Sequence, residues 1–127
     1  MKDCVFCKIA KGEIPVYKIY EDEDYLAFLD QSPLVEGHTL VIPKAHYRWV
    51  WDLPNIGQYF EIVKKIATHF RKKLGDDFVA CYIAGNEVPH AHIHLLPKPW
   101  SLKIELPKGK LDLKQAVELV KRLKLGI

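Results

Sequence analysis

The sequence predicts one α+β domain that is built around an antiparallel sheet. Its 127 residues fall in the commonest size class for a single domain. Apolar runs of strand length stand on both sides of one long amphipathic stretch, and a second amphipathic stretch lies near the end. Because these strands and helices do not alternate as β-α-β units, an antiparallel sheet is favoured. We find no internal repeat and no linker, so a single domain is expected over residues 1–127.

The amino-terminal part predicts a short helix and then a hairpin. The helix over residues 4–11 would end at Gly12, since glycine ends helical structure readily. Residues 17–20 alternate polar and apolar side chains as a strand does, and residues 25–30 are typical of the returning strand. The four acidic residues 21–24 between them predict a solvated hairpin tip.

Three apolar strands and a long helix follow the hairpin. A β-branched run at 38–43 suits a buried strand, and apolar runs at 78–83 and 90–96 predict two more. The helix lies between the first of these strands and the other two. Its apolar residues recur at the spacing of one helical face and comprise Ile56, Tyr59, Phe60, Val63, Ile66, Ala67, Phe70 and Leu74. Cys81 lies in an apolar strand, and we expect it to be a buried core thiol.

Capping residues stand at the ends of both predicted helices. Asp52 or Asn55 can begin the long helix, and Gly75 suits a left-handed cap at its end. Asp112 and Gln115 have capping-box spacing at the start of a final helix. That helix carries an apolar stripe formed by Leu113, Ala116, Val117, Val120 and Leu123.

Charge and composition exclude several classes of function. The net charge is +3, which indicates no nucleic-acid binding without clustered Lys and Arg. No stretch approaches the ~20 apolar residues that cross a membrane, and residues 1–8 lack the apolar core of a secretory signal. We therefore expect a cytoplasmic protein with no nucleic-acid or membrane partner. Its cysteines would stay reduced and available for metal binding or catalysis.

Three of the six histidines lie within five residues. His90, His92 and His94 alternate with apolar residues, so in a strand they would share one face. Neighbouring histidines would then be ~6.6 Å apart and the outer two ~13 Å apart, at ~3.3 Å per residue. One metal ion with Zn–N bonds of ~2.0–2.1 Å could accept two of them but hardly all three. The spacing therefore predicts that the three side chains divide between roles.

Residues 90–96 read His-φ-His-φ-His-φ-φ, where φ is apolar, and this pattern resembles the signature of the histidine triad (HIT) family. The segments CVFCKI, GEIP, LAFLD and GHTLVIPKAH also resemble that family, in the family's order, from about Cys4 to Pro97. The resemblance implies a five-stranded antiparallel sheet with a long central helix and a C-terminal helix. It implies a core over about residues 4–99, an extension with a helix over about 100–127, and pairing as a homodimer.

The resemblance also implies a reaction at the α-phosphate of a nucleotide. His92 would be the nucleophile, forming a nucleotidyl-histidine intermediate that water hydrolyses. A neutral imidazole is a competent nucleophile near pH 7, provided that its other nitrogen is held as a donor. The resemblance assigns that hold to the backbone carbonyl of His90. His94 and His38 would line the phosphate pocket, stabilise charge and assist the leaving group.

A purine nucleotide is the substrate class that the resemblance implies. Asp30 would accept hydrogen bonds from the ribose hydroxyls, as a carboxylate can, and apolar side chains would enclose the base. The loop before the triad is several residues shorter than the family pattern and keeps one amide, Asn86. The nucleotide-binding residues implied in this way are Phe6, Ile9, Phe28, Asp30, Asn86 and Val88.

The motif Cys4-x-x-Cys7 is by itself compatible with redox chemistry or with half of a zinc site. Resemblance to bacterial family members implies a structural zinc ion bound by Cys4, Cys7, His46 and His90. Two thiolates and two imidazoles form a closed tetrahedral set. His90 would then bind metal, while the two following histidines of the triad face the substrate.

Three functions follow from these observations. The first is a nucleotide hydrolase that acts on purine nucleoside phosphoramidates, with dinucleoside polyphosphates second. Another is a metal-dependent hydrolase in which His90 and His92 share a catalytic ion that activates water. The third is a non-catalytic nucleotide-binding module, which the shortened loop keeps open.

Overall fold

The computed structural model describes residues 3–99 and 108–126. Within these residues five strands form one sheet; they are β1 (Lys18–Glu21), β2 (Tyr25–Leu29), β3 (Thr39–Pro43), β4 (Val79–Tyr82) and β5 (Ile93–Pro97). The helices are α1 (Val5–Ala10), α2 (Ile56–Leu74) and α3 (Leu113–Leu123), with a short 3₁₀ turn at Val50–Asp52. The strand order is β1-β2-β3-β5-β4, and all neighbours are antiparallel. The predicted α+β class is confirmed. Part of the predicted extension, residues 100–107 and 127, lies outside the described residues.

The sheet is covered on both faces in its middle, which is why its central strands carry apolar residues on both faces. One face packs against α2 through a cluster that includes Tyr59, Val63, Ile66 and Phe70 of the helix and Ala27, Val41, Ile93 and Leu95 of the sheet. The other face packs against α1 through Phe6, Cys7, Ile9, Leu26, Phe28, Leu40 and Ile42. Successive residues of β3 point to opposite faces, so Leu40 and Val41 enter different clusters and both are buried.

The ends of α2 follow the sequence prediction in part. Asn55 precedes the helix, but its side chain makes no capping hydrogen bond. Asp52 instead accepts a hydrogen bond from the backbone N–H of Trp49 at 3.2 Å. Gly75 ends the helix in the left-handed region, with φ of 65°, which a glycine adopts without the steric cost of a Cβ. At α3, the Asp112 carboxylate accepts from the N–H of Lys114.

Two expectations about strands are wrong in detail. Cys81 is exposed and not a buried core thiol, because β4 lies at the edge of the sheet and only half of its residues are covered. The last strand begins at Ile93 and not at His90. His90 lies in a bend and residues 91 and 92 do not pair as a strand, yet Ala91 and Ile93 still belong to the α2 core. The alternation of side chains between the two faces therefore begins at Ala91, although the paired strand begins only at Ile93.

The apolar stripe of α3 is exposed over the described chain: Leu113, Val117, Val120 and Leu123 are each more than half accessible. The described residues contain no helix whose length and apolarity would let it cross a bilayer.

Candidate functional site

A cavity of about 540 Å³ opens on the α1 side of the sheet. Its wall is built by α1, by the end of β2 with the residues that follow it, and by the loop between β4 and the histidine run. The cavity brings together all of the residues predicted for catalysis and nucleotide binding, which are Phe6, Ile9, Phe28, Asp30, His38, Asn86, Val88, His92 and His94.

The orientation of His92 is set by the backbone. Its Nδ1 lies 2.7 Å from the carbonyl oxygen of His90. A carbonyl only accepts, so Nδ1 carries the proton and Nε2 keeps its lone pair. The ring is 6% exposed and packs edge-on against Phe6, with centroids 5.2 Å apart. The neutral form of His92 therefore carries its proton on Nδ1 and has an unprotonated Nε2, and the residue lines the cavity.

His38 and His94 form a second, directional chain of hydrogen bonds. The backbone N–H of Leu34 donates to Nδ1 of His38 at 3.0 Å, so the proton of that ring is on Nε2. Nε2 in turn lies 2.8 Å from Nδ1 of His94 and donates to it. The remaining nitrogen of His94, Nε2, must then carry the ring proton. The chain thus makes His94 a donor through Nε2, the opposite of His92.

Burial keeps the imidazoles of this chain uncharged. Loss of hydration, together with the neighbouring His92 and His38, lowers the pKa of His94 to about 4. Burial also lowers the pKa of His38, although the Asp30 carboxylate opposes the shift. The Asp30 oxygen lies 3.5 Å from Nε2 of His38. Near pH 7 His38 and His94 therefore act as neutral hydrogen-bond donors and acceptors.

Tyr82 is a site residue that the sequence did not reveal. Its ring stacks on His94, with centroids 4.0 Å apart and planes 8° from parallel. The two residues face each other across the β4–β5 pair, and Tyr82 also lines the cavity. No signal in the sequence could have identified Tyr82, because its contact with His94 depends on the register of β4 against β5.

The four predicted metal ligands form a compact cluster beside the cavity. The ligand atoms of Cys4, Cys7, His46 and His90 all lie within 4.8 Å of one another. Nδ1 of His90 is 3.2 Å from Sγ of Cys4 and 3.5 Å from Sγ of Cys7, and Nδ1 of His46 is 3.3 Å from Sγ of Cys7. This separation suits four ligands around one ion, because bonds of ~2.0–2.3 Å place them a few Å apart.

The backbone also orients the ligand atom of His90. Nε2 of His90 donates to the carbonyl oxygen of Pro43 at 2.8 Å, which leaves the Nδ1 lone pair directed at the two thiols. Such a carbonyl bond on the far nitrogen is the usual outer support of a metal-bound imidazole. Burial and the adjacent Cys4 thiol raise the pKa of Cys7 to about 11, so a bound cation would have to displace the thiol proton.

The geometry does not support the alternative of one ion shared by His90 and His92. Nδ1 of His92 is occupied by a backbone carbonyl, and among the described residues His92 belongs to neither group of side chains able to hold a metal. The second such group is Asp30, His38 and His94. There the two imidazoles already share a proton in a direct hydrogen bond at 2.8 Å.

Comparison with known proteins gives one consistent result. Residues 11–99 match the model of the HIT domain. A HIT-like protein of Methanocaldococcus jannaschii is 44% identical over 102 residues, covering 75% of this chain and 78% of that protein. The crystal structure of SMU.412c from Streptococcus mutans superposes with a TM-score of 0.85 at 37% identity, covering 97% of this chain and 84% of that one.

Two relatives carry names that state an activity. Adenosine 5′-monophosphoramidase HNT1 of Saccharomyces cerevisiae is 40% identical over 100 residues, covering 75% of this chain and 62% of that protein. Adenylylsulfatase HINT3 of Arabidopsis thaliana is 39% identical over 103 residues, covering 76% of this chain and 52% of that protein. Both names describe hydrolysis of an adenylyl compound.

Proposed function

The chain belongs to the HIT-domain family, and from that premise we propose that it is a nucleotide hydrolase. It cleaves purine nucleoside phosphoramidates at the α-phosphate through a nucleotidyl-histidine intermediate on His92. The single observation that carries this proposal is the 2.7 Å hydrogen bond from Nδ1 of His92 to the carbonyl of His90, which leaves Nε2 unprotonated. A neutral imidazole with a free lone pair is a nucleophile that needs no separate base.

The cavity suits a nucleoside monophosphate. Phe6 and Phe28 supply apolar surface for a purine, and their rings meet edge-to-face at 5.8 Å. The Asp30 carboxylate stands at the cavity wall as an acceptor for ribose hydroxyls. Asn86 and Val88 complete the wall beside the histidines, and the shorter loop still carries an amide that can reach a phosphate oxygen. This supports binding and turnover together, in preference to a binding module alone.

His94 supplies what a phosphoramidate leaving group requires. The bond from phosphorus to nitrogen breaks only as the departing nitrogen gains a proton, because an amide anion is a very poor leaving group. Nε2 of His94 carries a proton as a result of the chain from Leu34 through His38. We assign His94 as the proton donor of the first step, with His38 fixing its tautomer. When the neutral imidazole gives up its N–H proton, the negative charge is shared with His38 through their hydrogen bond and stands opposite the positive nucleotidyl-imidazolium on His92. The water that hydrolyses the intermediate returns one proton to His94, so the two steps balance.

The cluster of Cys4, Cys7, His46 and His90 is the site of a structural zinc ion in this proposal. Two sulfur and two nitrogen ligands with a closed geometry favour Zn²⁺ over a hard cation. The ion would tie α1 to His90, two residues before His92, and so stabilise the carbonyl that orients the nucleophile. Homodimer formation, with an edge strand of each copy extending the sheet, is part of the same proposal and is tested by light scattering in solution.

Turnover of adenosine 5′-monophosphoramidate tests the proposal. The variant His92→Ala should lower kcat by at least about 10⁴-fold, since removal of a nucleophile leaves only binding and electrostatic effects. The matched control is His69→Ala, which removes an exposed histidine of α2 and should keep wild-type turnover. Substantial activity in the His92 variant would reject the mechanism, and absence of activity in the wild-type protein would favour a binding module.

A further inference from the structure

The loop between β4 and the histidine run forms one wall of the nucleotide cavity, where residues 84–88 and His92 are both lining residues. Within the described chain, residues 84–87 make a single hydrogen bond to another part of the protein, and its donor is the side chain of Arg48. The backbone N–H groups of Gly85, Asn86 and Glu87 have no acceptor among the described residues. These groups are therefore available to a bound phosphate, provided that the loop is held in position.

Arg48 supplies that hold from the segment that follows β3. Its Nη1 donates to the carbonyl oxygen of Gly85 at 2.8 Å, and its guanidinium carbon lies 3.7 Å from the ring centroid of Trp49. Stacking on an indole fixes the plane of a guanidinium, so its N–H groups point in set directions. Arg48 makes no ion pair with any described residue. The loop carbonyl, and not a carboxylate, is therefore the polar partner of this side chain.

Gly85 allows the loop backbone to lie directly against the stacked pair. Its φ is +81°, a left-handed conformation that residues with a Cβ adopt at a steric cost. A Cβ at this position would stand 3.2 Å and 3.3 Å from two ring atoms of Trp49 and 3.8 Å from Nη1 of Arg48. The close approach therefore requires glycine, and a larger residue would have to displace the loop or the indole.

The same segment also supports the chain on both sides of the proposed nucleophile. The carbonyl oxygen of Tyr47 accepts a hydrogen bond from the N–H of Ala91 at 2.7 Å. Ala91 stands between His90, whose carbonyl orients the imidazole, and His92 itself. Two consecutive residues, Tyr47 and Arg48, thus hold the backbone that carries the nucleophile and the loop that lines the cavity beside it.

We infer that Arg48 is a positioning residue for the reaction at His92, and this inference rests on the function proposed above. By holding the Gly85 carbonyl, Arg48 fixes the loop of residues 84–87 relative to the nucleophile. The loop N–H groups and the Asn86 amide are then in place for the phosphate oxygens, which carry the charge of the transition state. Arg48 does not line the nucleotide cavity, so it acts through the loop and not by contact with the nucleotide.

A positioning role predicts a loss in kcat with little change in KM. A displacement of about 1 Å in a group that stabilises the transition state can lower a rate by about 100-fold. Arg48→Gln should therefore lower kcat about 10- to 100-fold and leave KM within about threefold of the wild-type value. Arg48→Lys keeps a donor but loses the flat guanidinium, and it should recover part of the loss.

A double-mutant cycle with adenosine 5′-monophosphoramidate as substrate tests whether Arg48 acts through Gly85. It compares kcat and KM for wild type, Arg48→Gln, Gly85→Ala and the double variant. Because both substitutions disturb the same loop, the double variant should be at most about threefold slower than the slower single variant. The matched control is Arg71→Gln, which removes an arginine of α2 that pairs with Asp77 and should leave kcat and KM within about twofold.

Losses that multiply in the double variant overturn the inference, because Arg48 would then act by its charge and not through the loop. An unchanged kcat in either single variant, or a loss in Arg48→Gln that lies in KM alone, also overturns it and leaves the proposed function standing. Thermal unfolding of each variant identifies a folding defect. If Arg48→Gln is unfolded at the assay temperature, the same cycle with Arg48→Lys decides by the same criterion. Absence of turnover in wild type and in Arg71→Gln overturns the proposed function, and the inference with it.

Discussion

Two neighbouring regions of this molecule contain a histidine held by a backbone carbonyl, but a different ring nitrogen is left free in each. In the cluster of Cys4, Cys7, His46 and His90, His90 donates from Nε2 to the carbonyl of Pro43 and leaves Nδ1 directed at two thiols. In the cavity, His92 ties Nδ1 to the carbonyl of His90 and leaves Nε2 free. One backbone carbonyl in each case decides which nitrogen keeps its lone pair. The comparison teaches that chemistry at a histidine is assigned by its backbone partner as much as by its neighbours.

Substitution of a ligand of the proposed zinc site is expected to have the largest effect on stability. The variant Cys7→Ser should lower the zinc content from one ion per chain to almost none and the Tm by more than about 10 °C, because a structural ion contributes its binding free energy to folding. Cys81→Ser is the matched control, since Cys81 is exposed on β4 and outside the cluster. Elemental analysis and thermal unfolding check both. Full zinc in Cys7→Ser, or an equal loss of Tm in Cys81→Ser, would contradict the assignment.

A substitution in the cavity should instead lower the activity and leave the zinc content of the protein unchanged. The variant His94→Ala should lower kcat for the phosphoramidate by about 100-fold, a typical contribution of a general acid, at unchanged zinc content. For adenosine 5′-phosphosulfate the loss should be much smaller, because a sulfate departs without a proton. Steady-state kinetics on both substrates check this. Equal losses for the two leaving groups would show that His94 is not the proton donor.

Tyr82, on the edge strand β4, tests how the His94 imidazole is held in the cavity. Its ring stacks on His94 at 4.0 Å, so Tyr82→Ala should let that imidazole rotate and lower kcat by about 3- to 10-fold with little change in KM. Tyr82→Phe keeps the stacked ring and should retain nearly the wild-type kcat. If Tyr82→Phe is as impaired as Tyr82→Ala, the hydroxyl group and not the stack is responsible.

The smallest expected effect is on the pH dependence of the free energy of unfolding. Burial lowers the pKa of His94 to about 4, whereas a histidine of the unfolded chain titrates near ~6.5. The unfolded state therefore binds more protons between these values, so the contribution of His94 is fully present above about pH 6.5 and is lost as pH falls towards 4. Urea unfolding between pH 7 and pH 4.5 should show a shallower decline in His94→Gln than in wild type. Parallel declines would contradict the sign.

Much of the fold could be predicted because its elements have strong local patterns. The face of α2, the glycine cap at Gly75 and the apolar β3 all follow from spacing and composition. Whether an apolar strand lies at the centre or the edge of a sheet depends on its neighbours, which is why the burial of Cys81 was predicted wrongly. The start of β5 shifted for the same reason, since pairing and not composition ends a strand.

The candidate site could be predicted where a motif names residue types, and not where it depends on contacts. The triad, Asp30 and the Cys-x-x-Cys motif are visible in the sequence, and the structure brings their side chains together. Tyr82 reaches His94 only through the register of β4 against β5. Tertiary contacts of this kind produce no recognisable motif in the sequence.

The central claim is that backbone hydrogen bonding makes His92 the nucleophile and His90 a metal ligand. It is tested most directly by brief reaction of the wild-type protein with adenosine 5′-monophosphoramidate, rapid quenching and peptide mass spectrometry under conditions that preserve phosphorus–nitrogen bonds. The account predicts one adenylyl group per chain, attached to His92, and none in His92→Ala. An adenylyl group on His90, His94 or His38, or turnover with no adduct on any histidine, would contradict it.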